Sequence, residues 1–140
     1  MGPIPFRILL ALIVLYALVR GSRDERQVAI ICLAGAAATT MVLSPMAERF
    51  QGLESPVLLV DLMVLTGFVM VALRSHRFWP LWVAGLQLTT IVAHLLKGID
   101  IDLLPRAYAA ALNFWAYPII FILALGTYRA NRRSAGERTA

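Results

Sequence analysis

The chain of 140 residues is 60% hydrophobic and only 15% charged, with a mean hydropathy of +0.76, which leaves too few polar residues to shell a water-soluble core. Soluble enzyme folds and disorder are excluded on that balance, and a transmembrane barrel because the apolar residues come in continuous blocks. The net charge of +5 does not point to nucleic acid, since the basic residues stand between apolar blocks and in the tail, as a topology signal does.

About 17 to 25 apolar residues are needed to span a bilayer core of roughly 30 Å. Five blocks approach that length, at residues 5–19, 28–46, 57–73, 79–96 and 107–128. The expected fold is therefore an all-α integral membrane bundle of five transmembrane helices, or of four if the first and shortest block does not span. Residues 1–128 form one domain in this reading, because the separators are too short to hold another. The basic tail 129–140 lacks an apolar period and is expected to be disordered.

Pro5 suits a first helical position, where its missing N–H has no partner to lose. The first block could be a secretory signal, but its positive n-region is a lone Arg7 and no small-x-small site precedes the charged run from Arg20, so it is read as retained. Myristoylation at Gly2 is not indicated, because that motif wants Ser or Thr where this chain has Phe6.

In the second block, residues 34–40 read Ala-Gly-Ala-Ala-Ala-Thr-Thr. Ala34, Gly35, Ala36, Ala38 and Thr40 are small residues recurring at spacings that let helix backbones approach. They are read as a packing face rather than a ligand site, because no ionisable group accompanies them. Cys32, the single cysteine, excludes internal disulfides and Cys-pair chemistry. Pro118 is expected to kink the fifth helix, since it removes the bond to the carbonyl four residues earlier.

Orientation follows from the arginines and Lys97. Arg20, Arg23, Arg26, Arg74, Arg77, Arg129, Arg132, Arg133 and Arg138 fall on one side of a five-span chain, against Arg7, Arg49, Lys97 and Arg106 on the other. The richer side is cytoplasmic, which puts the N-terminus outside and the tail inside. Phe78, Trp79 and Trp82 beside Arg77 read as interfacial anchors.

Ionisable residues at membrane depth are the first candidates for function. Asp61 stands about 6 Å into the third block and His94 about 4.5 Å from the end of the fourth, at 1.5 Å per residue. Asn113 stands about 7.5 Å into the fifth from the same outer face. Gln87, Thr90, His94 and Lys97 follow spacings of three, four and three, so they line one helix face. Asp61, Gln87, Thr90, His94 and Asn113 are thus expected to form one polar cluster, and Glu48, Glu54, Asp100 and Asp102 an acidic vestibule outside it.

Three uses stay open for that cluster: polar glue between spans, a proton or cation pathway through Asp61 and His94, or a metal or haem site. Bis-His haem within one chain is impossible, because His76 lies in a loop on the opposite side. A single-His haem or pigment at His94 has no support from spacing, and no catalytic set or metal-binding motif is present, so no cofactor and no metal are assigned.

The run from His76 through Phe78, Trp79, Pro80 and Trp82, continuing past Gln87 and His94 into the fifth block, resembles a pattern in small multi-pass membrane proteins of alphaproteobacteria. The resemblance covers roughly the last half of the chain. It implies a shared fold and a bacterial inner membrane, and no activity. The expectation is a non-enzymatic accessory or structural subunit of a larger membrane complex, or a homo-oligomer, whose partners are the bilayer and other membrane subunits or itself. The alternative is a minimal transporter or proton and cation conduit using Asp61 and His94.

Overall fold

A computed structural model describes residues 4–46, 55–99 and 105–139. Among them there are five helices and no strand: α1 (Ile4–Arg20), α2 (Arg23–Met46), α3 (Ser55–Arg74), α4 (Trp79–Ile99) and α5 (Pro105–Thr139). The protein is all-helical. α3 and α4 carry the stretches Pro56–Arg74 and Trp79–Leu96, each long and apolar enough to cross a membrane.

α1 is shorter, at 17 residues, and α2 starts early, because Ser22-Arg23-Asp24-Glu25 forms a capping box. Ser22 N–H donates to Glu25 Oε2 at 2.9 Å, so the third helical residue satisfies a backbone donor that would otherwise be orphaned. The sequence carried that signature. The helix consequently begins five residues before the apolar block at Val28.

α5 corrects the expectation of a disordered tail. It runs for 35 residues without interruption through Pro118 to Thr139, a length of about 50 Å at 1.5 Å per residue. Residues 129–139 continue a helix already paid out by the packed segment before them, and propagation adds one backbone bond per residue without a new nucleus. Arg132 also lies over the Tyr128 ring one turn back, 5.9 Å from its centroid, a contact that the four-residue spacing of a helix favours.

The helices close into a ring in which each packs on the next and α5 returns to α1, with a further contact between α2 and α5. Phe6 meets Tyr117 edge to face, with centroids 5.2 Å apart, and Val19 and Arg20 share a groove with Asn131 and Ser134, so α1 lies parallel to α5 alongside the part that begins near Tyr117. The middle of the ring is filled by Val14, Ala17, Val28, Phe68, Val71, Val83 and Leu123, all buried. Where lipid is as apolar as this core, their close packing holds the helices together through van der Waals contact rather than through transfer from water.

The outside is apolar as well. Leu12, Met41, Met63, Leu73, Leu88 and Phe121 are all exposed, and exposed apolar surface of this kind marks a contact with a membrane or a partner.

Candidate functional site

Asp61 lies two turns into α3 and faces α4, where Gln87 and His94 are seven residues, two turns, apart on one face. The carboxylate sits between them. His94 Nε2 stands 2.9 Å from Oδ2, and Gln87 Nε2 donates to Oδ1 at 3.1 Å and more weakly to the Asp61 backbone carbonyl at 3.4 Å. A contact of 2.9 Å between these two atoms requires a proton on the line joining them, carried by the imidazole or by the carboxyl. Gln87 and His94 are both buried, and Asp61 is half-buried.

Thr90, between them on α4, is half-buried, and its Oγ1 reaches back to the Leu86 carbonyl at 3.5 Å, so it serves its own helix rather than Asp61. The side chain of Asn113 lies outside the described residues, as do the vestibule acids Glu48, Glu54, Asp100 and Asp102. The structure thus brings Asp61, Gln87 and His94 together. No third His, Cys, Asp or Glu joins Asp61 and His94 in a metal-holding group among the described residues.

Next to this clasp is a partly open cavity of about 170 Å³, into which Asp61 and Gln87 face from one side and Gly35, Ala36 and Thr39 from the other. The small-residue run of α2 was read as having no ionisable companion. The run itself carries none, and Asp61 of α3 lines the same cavity, where Gly35 lets α2 approach closely. A Cβ built at Gly35 would stand 2.6 Å from Val64 Cγ2, closer than carbon atoms come without displacement. Ala34 and Thr40, by contrast, are exposed, with Thr40 Oγ1 donating to the Ala36 carbonyl at 2.8 Å; they do not belong to the α2–α3 contact. Ala38 is half-buried. Cys32 also lines the cavity as a free thiol.

A second polar cluster lies at the other end of the ring. Glu25 is fully buried, and Arg77 Nη1 donates to its Oε1 at 2.8 Å. Ser22 Oγ contacts Glu25 Oε2, and Arg77 Nη1 also reaches Ser22 Oγ at 3.3 Å. Ser75 Oγ donates to Asp24 Oδ2 at 2.6 Å and accepts from Arg77 N at 3.1 Å. The α1–α2 junction and the α3–α4 turn are thereby latched. Sequence reasoning counted Arg77 as a topology signal, gave Asp24 and Glu25 no role and missed the latch, since Glu25 and Arg77 are 52 residues apart.

The three aromatic anchors separate. Phe78 and Trp82 are exposed, as interfacial residues would be. Trp79 turns inward instead, where a Cβ at Gly126 would stand 3.3 Å from its ring, and its Nε1 is buried without a hydrogen-bond partner. As the first residue of α4 it packs on α5, because Gly126 leaves a flat place for an indole.

No family model, curated protein or solved structure matches the chain.

Proposed function

We propose that this chain is a five-span integral membrane protein that acts as a structural or accessory subunit of a larger membrane assembly or of a homo-oligomer, without enzymatic activity. Its place in this reading is a bacterial inner membrane, with the N-terminus outside and α5 ending in the cytoplasm. The exposed apolar surface around all five helices supports the membrane setting. The arginine-rich junctions and the end of α5 supply the positive side.

One observation favours a scaffold over a conduit. Asp61 and His94 at one end are separated from Glu25 and Arg77 at the other by Phe68, Val71, Val83 and Leu123, all buried and apolar. The carboxylate oxygens of Asp61 are both engaged by α4. An ion or proton path would have to cross that plug, where an unpartnered charge is costly. Purification in a mild detergent, with mass spectrometry of what accompanies the protein and an absorption spectrum, tests the reading: stoichiometric partner subunits or a defined homo-oligomer are expected. A bare monomer with no companion would overturn it.

The second reading, a proton or cation conduit, has the open cavity at Asp61 in its favour. It requires proteoliposomes of the parent to pass protons or cations, and Asp61→Asn to abolish that flux in a protein that still folds.

A further inference from the structure

The segment Arg20 to Arg26 holds three arginines and two acids, close to balance as a sequence. The fold separates them. Asp24 is turned to Ser75 and Glu25 to Arg77, so both acids are spent on the latch between the helix junctions. Arg20 and Arg26 are left on the opposite side, facing the last turns of α5. There Val19, Arg20, Arg26, Asn131, Ser134 and Arg138 line a groove of about 600 Å³, within the ~300–1,000 Å³ of ordinary ligand sites. Among the described residues no carboxylate forms an ion pair with Arg20, Arg26 or Arg138.

Three arginines lining one concavity, none of them ion-paired to a carboxylate among the described residues, are complementary to a phosphate, whose oxygens accept their paired N–H donors. The surroundings select the kind of phosphate. Val19, on the groove wall, is the last of an exposed apolar stripe along α1 formed with Ile8, Leu12 and Leu15. Their spacings of four, three and four keep them on one helix face. A charged groove opening onto an apolar stripe fits a molecule with an anionic head and hydrocarbon chains, whereas a soluble phosphate would leave the stripe unused. We propose that this groove binds the phosphodiester headgroup of an anionic phospholipid, with the acyl chains lying along α1. The inference rests on the membrane reading above.

The test is native mass spectrometry of the full chain in detergent with equal amounts of phosphatidylglycerol and phosphatidylcholine. The parent retains phosphatidylglycerol preferentially, and R20Q/R26Q/R138Q lowers its affinity by about fivefold for each arginine removed. R23Q/R129Q/R133Q removes the same charge outside the groove and keeps the preference. Equal loss in that control, or no preference in the parent, overturns the proposal. If the glutamine variant does not purify, R20K/R26K/R138K keeps the charge but not the paired donors. Its affinity for phosphatidylglycerol falls; an unchanged affinity overturns the groove. Inorganic phosphate is run in parallel, and an arginine-dependent rise in thermal stability from phosphate with no lipid preference overturns the lipid assignment. Alkaline carbonate washing of membranes from the same cells separates the two failures. Release of the parent overturns the membrane reading, while retention without lipid preference overturns this inference alone.

Discussion

Glu25 is fully buried, and Arg77, 52 residues away, closes on it at 2.8 Å. The pair joins the α1–α2 junction to the α3–α4 turn and sets where α2 and α4 stand relative to each other at that end of the ring. Removing one partner leaves a carboxylate uncompensated in the interior, and that imbalance costs more than the pair contributes. Arg77→Met is expected to destabilise the protein by about 3 kcal/mol, measured by denaturant unfolding in detergent. Glu25→Gln with Arg77→Met should recover more than half of the loss. A double variant as unstable as Arg77→Met would show that Arg77 acts through its other bonds to the junction.

Gly35 and Val64 are the second point of control. The Cβ of Gly35→Ala would meet Val64 Cγ2 at 2.6 Å, and valine has little rotamer freedom with which to yield. The substitution should cost on the order of 1–3 kcal/mol, and Val64→Ala in the same chain should return a substantial part of it. Gly85→Ala makes the contrast. A Cβ there meets nothing within 4 Å, so helix propensity alone should raise stability by up to about 1 kcal/mol. Equal effects at the two glycines would contradict the close α2–α3 approach.

Asp61 is held by a buried amide and a buried imidazole. Asp61→Asn keeps an acceptor for Gln87 and a donor for His94, whereas Asp61→Leu leaves both without partners. The leucine variant should be less stable than the asparagine variant by on the order of 2 kcal/mol. Unfolding midpoints of the two variants in detergent check this, and equal midpoints would mean that Gln87 and His94 find other partners.

Alkaline phosphatase, active only outside the cytoplasm, gives no activity when fused after Arg133 if α5 ends inside. Fusion after Arg7 places the reporter at the other end of α1, but that site also interrupts the first helix, so the informative comparison is with a cytoplasmic reporter at Arg133. Activity of the phosphatase there would reverse the orientation.

Hydrophobic blocks and their separators determine most of the helical organisation. The five apolar runs correspond to α1 to α5 because runs of that length satisfy their backbone groups only as helices wherever water is scarce. Periodicity also places Gln87 and His94 on one face of α4, since side chains seven apart are two turns apart. The start of α2 carries a local signal in Ser22-Arg23-Asp24-Glu25, which a reading by apolar blocks alone passes over in favour of Val28. What only the tertiary structure decided is which polar residue meets which. Asp61 lies between Gln87 and His94 because α3 and α4 pack in one register, and Glu25 and Arg77 meet because two separate junctions close on each other. The same packing turned Trp79 inward against Gly126 and set Asp61 across a cavity from Gly35. Such contacts depend on the relative placement of distant helices, which no local period records, and in a chain this apolar the same blocks would serve many registers. A few glycines and buried charges choose among them, because only in the right register does Gly35 admit Val64 and does Glu25 find its arginine.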